Sequence, residues 1–186
     1  MTRASALVFV TAGWRAAAAA SASAGAAGDY PLLRELEARV KLGDTSITSK
    51  VTIGVDRLME ENRWKRVTDA LKHGGYSNFV TALRALPPVG WIQLNARKVE
   101  VRYAHEEQRP AGRRLVVVAD KPLFVLGDPA KSRPGFELTV IELNIDASGT
   151  ITGSMAGAAR VKPSLEGGVL LEDYAEALVT LSSTPR

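Results

Sequence analysis

The 186-residue chain has no cysteine, which excludes disulfides, thiolate nucleophiles and Cys-ligated zinc or iron–sulfur centres. Histidine is nearly as scarce: only His73 and His105 are present. A metal centre would need both imidazoles and carboxylates such as Glu106 and Glu107 to converge. Surface histidines are the plainer reading, so neither a metal nor a cofactor is expected. No apolar run approaches the roughly 18 residues that a membrane helix needs, so no stable span is expected either. Aromatic residues make up 6% of the chain, and no GxGxxG or GxxxxGK[ST] spacing precedes a helix pattern. Ser132 and Ser154 lack a nucleophile-elbow context.

Charge of one sign is also missing. The formal net charge is +4, and without Arg3 and Arg15 the rest of the chain carries +2. A nucleic-acid face built from Arg97, Lys98, Arg102, Arg113 and Arg114 is interleaved with Glu100, Glu106 and Glu107. Such mixing does not concentrate counterion release, so no nucleic-acid partner is expected.

The first 24 residues read as a secretory signal peptide or an Ala-rich leader. Arg3 is followed by the apolar run from Ala6 to Trp14, and Ala20-Ser21-Ala22 and Ala22-Ser23-Ala24 are small-residue cleavage candidates. Arg15 directly behind the apolar run is the departure from that pattern. The expectation is an exported protein, periplasmic or extracellular; a cytoplasmic one is the alternative if the leader is not a signal.

Residues 25–44 read as a linker or short helix, with Leu32, Leu33, Leu36 and Val40 near helical spacing and Gly43 as a stop. Residues 45–183 read as one domain. Ile47, Ser49, Val51, Ile53 and Val55 alternate with Thr48, Lys50, Thr52 and Gly54 as a half-buried strand. The period then changes to that of helices. One helix is predicted over about 59–72, carrying Trp64, Val67 and Leu71, and ends at Gly74-Gly75. A second is predicted over about 77–86, with Phe79, Val80 and Leu83, and stops at Pro87-Pro88.

Beyond Pro88 the chain reads as strands: Gly90 to Leu94, Lys98 to Tyr103, Arg113 to Ala119, Phe136 to Asp146, Thr150 to Val161, a short edge at Val169 to Leu171, and a closing strand from Glu176 to Ser182. In the Phe136 strand the apolar face switches near Val140, which calls for a bulge. In the Thr150 strand, Gly153, Gly157 and Ala159 share one face. So bare a face implies close packing or a cavity wall. The expected fold is α+β, a curved antiparallel meander, barrel-like if it closes, with a two-helix insertion after the first strand.

Several segments, GRRLVVVADKPL, ELTVIELNID, the AARV stretch, SKVTIGVDRLMEENRW and the junction of Leu86, Pro87, Gly90, Trp91 and Ile92, resemble a family of uncharacterised small β-rich proteins exported by bacteria. The resemblance covers about residues 45–182. It implies export and one compact domain, and it carries over no functional residue.

Two functional classes follow. One is an exported accessory domain that binds a small apolar or amphiphilic ligand or an envelope protein partner. Trp64, Trp91, Tyr103, Phe136 and Met155 are its candidate ligand-binding residues, and each is equally a core candidate. The alternative is a carboxylate-dependent hydrolase using Glu142 with Asp120. Against it, Asp120-Lys121-Pro122 reads as a turn, and Glu142 is exposed if the strand face switches. A buried Glu142 would need a partner such as Arg102 or Arg160. No catalytic residue stands out, and no feature sets an oligomeric state.

Overall fold

The computed structural model describes residues 30–126, 133–165 and 167–183; the leader expected over residues 1–24 and Ser132 lie outside them. In chain order the elements are β1 (Leu32–Leu42), β2 (Thr45–Val55), α1 (Glu61–Arg84), β3 (Gly90–Leu94), β4 (Arg97–Arg109), β5 (Gly112–Ala119), β6 (Leu138–Asp146), β7 (Ile151–Pro163), β8 (Val169–Tyr174) and β9 (Val179–Ser183).

Every pairing is antiparallel, and β1 to β7 follow one another around a ring that β9 closes by pairing with both β7 and β1. The result is a closed eight-stranded barrel. β8 stands outside the ring, paired with the far half of β7 from Ala159 to Pro163. Eight strands enclose a space just wide enough for side chains. Leu36, Val51, Ile92, Leu115, Ile141, Met155 and Leu181 fill it, all essentially without solvent exposure.

Three expectations are corrected here. Residues 32–42 are neither linker nor helix but the first strand of the barrel. Leu32, Leu36 and Val40 recur every four residues, a spacing that fits a helix face and equally one face of a strand. Ala38, fully buried between them, settles the period at two. The helical insertion therefore follows the second strand, not the first.

The expected helix pair is also a single element. Gly75 departs from helical geometry, at φ 73 and ψ −172, and kinks α1, so that two helical segments follow one another within the one element. Val67, Thr68 and Leu71 are buried before the bend, and Phe79, Val80 and Leu83 after it. Two short apolar stripes thus follow the barrel's curved outer wall where one straight stripe would leave it.

The bulge expected in the Phe136–Asp146 strand lies in β7 instead: β6 keeps an unbroken register with β5 from Thr139 to Asp146, and its apolar residues do not switch face but occupy both. The β6–β7 register shifts between Leu138 and Val140, with the extra residue in β7. Ile141 and Leu143 share the inner face with Met155 and Gly153. Val140 lies on the outer face and is buried too. There, α1 and β8 form a second layer over β4 to β7: the Tyr76 hydroxyl donates to the Ala159 carbonyl (3.2 Å), and the Leu171 N–H donates to Glu142 Oε1 (3.2 Å). Arg102 fastens the end of α1, donating to the Leu86 carbonyl and, through Nε, to Asp120 Oδ2 (2.9 Å).

Candidate functional site

Two places on this frame have the makings of a site. The first is a cavity of about 250 Å³ at the barrel end that carries the β1–β2 turn. Its walls are Val40 and Leu42 from the end of β1, the segment Leu123 to Leu126 after β5, Gly157 of β7, and Glu176, Ala177 and Val179 leading into β9.

The segment after β5 can lie across the barrel end because β7 has no side chain at Gly157. A Cβ there would stand 2.2 Å from the Leu123 carbonyl oxygen and 2.8 Å from the Phe124 ring. The Leu123 N–H donates to the Gly157 carbonyl (2.9 Å), which ties the segment down. The bare face expected on β7 is broken by the register shift, which sets Ala159 opposite Leu138 and off the face of Gly153. Of the three small residues Gly157 serves both close packing and the cavity wall, and its partner is a loop. Among the described residues Glu176 is the one ionisable side chain in the lining.

The second place is a row on the outer face of β4. Tyr103, His105 and Glu107 stand at alternate positions opposite Val118, Val116 and Arg114 of β5. Glu107 Oε2 accepts from Arg109 (2.7 Å) and from Arg114 Nη1 (3.0 Å), while Arg114 Nη2 lies 2.8 Å from Glu142 Oε1. The His105 ring stacks on Trp64 of α1 with centroids 4.5 Å apart. Gly167 and Gly168 close over the row: a Cβ on Gly168 would meet Glu107 Oε1 at 2.9 Å, His105 at 3.1 Å and the Tyr103 hydroxyl at 3.3 Å.

Burial dominates the electrostatics of the row. It pushes the Tyr103 phenol up, helped by the charge of Glu107. It pushes His105 down, helped by Arg114 and opposed by Glu107 and Glu106. Tyr103 Oη and Glu107 Oε1 are buried without a hydrogen-bond partner; the hydroxyl approaches Thr68 and the Val169 amide without closing a bond to either.

The ligand candidates from the sequence scatter over these features. Met155 lies in the packed barrel interior. Trp91 lies across Gly54 on the outer face, with Lys98 over its ring at 4.1 Å. Tyr103 and Trp64 belong to the polar row. Phe136 packs with Phe124 and Ala158 in a small separate cluster, and Phe124 alone of these three lines the cavity.

None of the five candidates lines the cavity. The signal that points to it is LFVL, Leu123 to Leu126, four apolar residues placed by Pro122 beyond the end of β5. Outside a strand such a run must cover something apolar.

Glu142 and Asp120 do not form a catalytic pair. Each is held by its own arginine, Glu142 by Arg114 and Asp120 by Arg102, while Arg160 lies instead by Glu172 (3.6 Å). Glu142 sits opposite Val116, so Asp120 is four residues away along β5, roughly 13 Å at the rise of a strand. Paired glycosidase-type carboxylates stand about 5–9.5 Å apart. Among the described residues no three His, Asp or Glu side chains gather as metal ligands, and His73 is exposed at the middle of α1. Arg102, Arg113 and Arg114 are each ion-paired with neighbouring carboxylates, so the five cations of the sequence do not make one open patch. No helix among the described residues is long and apolar enough to cross a membrane.

The comparisons with known proteins add no name to this geometry: no family model, curated protein or solved structure matches the chain, and the resemblance drawn from its sequence has no counterpart among them.

Proposed function

We propose that the protein is a binding domain that holds a small apolar or amphiphilic ligand in the cavity at the end of the barrel. The observation that carries this reading is the cavity's lining: apart from Glu176 it consists of Val, Leu, Phe, Ala and Gly, at the end of a barrel whose interior is otherwise filled. Its volume, about 250 Å³, lies just under the roughly 300–1,000 Å³ of drug-sized pockets. That size suits a small molecule or one end of a longer chain. Glu176 at the lip would favour a ligand whose polar end donates hydrogen bonds or carries positive charge.

The probe for this reading is N-phenyl-1-naphthylamine, whose emission rises in apolar surroundings. Ala177→Trp fills the mouth and is expected to weaken binding at least tenfold, about 1.4 kcal/mol. Leu33→Ser removes an apolar side chain that is 59% exposed elsewhere on β1 and is expected to change nothing. Equal binding by the wild type and Ala177→Trp would sink the cavity as the site.

Export belongs to the same proposal. It is supported by Arg3, the apolar run to Trp14 and the small residues up to Ala24. The check is the intact mass of the protein from its own cells: a chain starting at Ser23 or Gly25 supports export, and an uncleaved leader in the cytoplasmic fraction overturns it.

A further inference from the structure

We propose that β8 is a proton-released strap on the outer wall of the barrel that leads into the lip of the cavity: Gly167 and Gly168 anchor it on Trp64, Tyr103, His105 and Glu107, and charging His105 undoes the anchor and loosens the lip formed by Glu176 and Ala177. The lip half of this inference rests on the cavity reading; the strap half does not.

The geometry is that of a clasp. Among the described residues β8 is the one strand outside the ring, and its ladder to β7 carries a register shift between Arg160 and Val161. At its start the two glycines lie on the polar row of β4. In its middle the Leu171 N–H reaches Glu142. Past its end the chain runs directly into Glu176 and Ala177 of the cavity wall. One short strand therefore joins a buried titratable cluster to the mouth of the cavity.

His105 is the member of the cluster that can change charge in the physiological range. The groups around it come from every element packed there. Tyr103 and Glu107 flank it on β4, with Glu106 beside it on the other face of that strand. Arg114 stands on β5, and Glu142 on β6 is reached through Arg114. α1 contributes Trp64, with Lys65 over the far side of the indole at 5.7 Å. Among the described residues the strap lays Gly167 against Trp64 and Gly168 against the row, neither of them charged, and its own carboxylates Glu172 and Asp173 lie farther along β8.

A proton on His105 would be poorly accommodated in this closed arrangement. Glu107, its nearest counter-charge, already serves Arg109 and Arg114 through one oxygen, and its other oxygen lies under Gly168. His105 is half-buried in the closed arrangement, and lifting the glycines uncovers the rest of the imidazole together with the covered carboxylate oxygen of Glu107.

The sign follows from linkage. Burial holds the proton affinity of His105 below that of an ordinary histidine while the strap is closed. Opening restores the ordinary affinity, so protons bind the open state more tightly and acid shifts the population toward it. Each pH unit of difference in affinity is worth about tenfold in the opening equilibrium.

The test is hydrogen exchange of the full chain at pH 7.5 and 5.5, read as protection factors so that the intrinsic pH dependence of exchange cancels. In the wild type, protection at Leu170 and Leu171 should fall by about tenfold per unit of that affinity difference, with β5 and β6 unchanged. His105→Phe should show no such fall. Flat protection in the wild type, or an equal fall in His105→Phe, would overturn the strap.

If His105→Phe does not fold, two measurements replace it. His105→Gln serves as the non-titrating variant, and the emission of Trp64 is followed in a chain with Trp14 and Trp91 changed to Phe. That emission should drop as the stacked imidazole charges, and a flat titration would overturn the role of His105. The naphthylamine probe separates the two halves. No binding at either pH removes the cavity reading and leaves the strap result standing. Equal binding at both pH values with a loosened strap overturns the coupling to the lip. Weaker binding at pH 5.5 in the wild type alone supports it.

Discussion

Arg114→Met should destabilise the fold by about 3–5 kcal/mol, the range for removing one member of a buried ion pair. Arg114 is 7% exposed and holds two carboxylates at once, Glu107 at 3.0 Å and Glu142 at 2.8 Å. Methionine keeps much of the volume but leaves Glu107, itself buried, with only Arg109. Glu142 keeps only the Leu171 N–H. In urea, at a slope of about 1–3 kcal/mol per molar, the midpoint should fall by more than about 1 M.

The double variant Glu107→Gln with Arg114→Met should recover part of that loss, because it removes the buried Glu107 charge, while Glu142, partly exposed, keeps its own. If the single variant unfolds at the wild-type midpoint, the cluster is solvated in solution and the outer layer does not seal it.

Gly157→Val should cost about 3 kcal/mol, the upper end of what overpacking costs, and should abolish the cavity along with the stability. The obstacle is backbone: the added carbon would lie 2.2 Å from the Leu123 carbonyl oxygen, which no rotamer relieves. The segment Leu123 to Leu126 must move off β7, breaking the bond from the Leu123 N–H to the Gly157 carbonyl and removing one wall of the site. For a chain of this length the melting temperature should drop by roughly 6–12 °C, with probe binding lost in whatever protein stays folded. A Gly157→Val protein with wild-type melting and binding would mean that the segment does not rest on β7 at all.

The elements whose period was unambiguous could be read from the sequence. The strand over Ile47 to Val55 was legible because its alternation reports directly which face is covered, and the apolar Arg113 to Ala119 run because its lack of alternation reports two covered faces. The bulge near Val140 was assigned to the wrong strand, since a strand covered on both faces mimics a switch. The first strand was not, since apolar residues spaced by four satisfy two periods at once, and only pairing with β2 and β9 decides between them. The helix pair failed for a different reason. Gly74-Gly75 is a proper stop signal, but a single residue in a non-helical conformation can redirect a helix that tertiary contacts hold on both sides.

The site was harder to read than the fold. Choosing the large aromatics as ligand residues assumes that a cavity is lined by the largest apolar side chains. In this barrel those side chains fill the core or clamp the outer layer, and the cavity wall falls to an apolar loop whose one aromatic residue, Phe124, was not among the candidates. Glu106, Glu107, Arg113 and Arg114 read from the sequence only as interleaved charges, the two arginines opening a strand. Their partnership across the β4–β5 hairpin depends on register, which a single sequence does not display.

Closure of the ring by β9 has a consequence for synthesis. The five residues Val179 to Ser183 are the last strand of the ring to leave the ribosome, and they join β1, the first, to β7. Until they emerge, β1 and β7 each present an unpaired edge, the kind of surface on which nascent chains zip onto one another. The ring therefore cannot mature in step with translation. The chain must be kept from self-association until its final strand arrives, and a transcript cut short before Val179 should yield aggregates, not a smaller soluble domain.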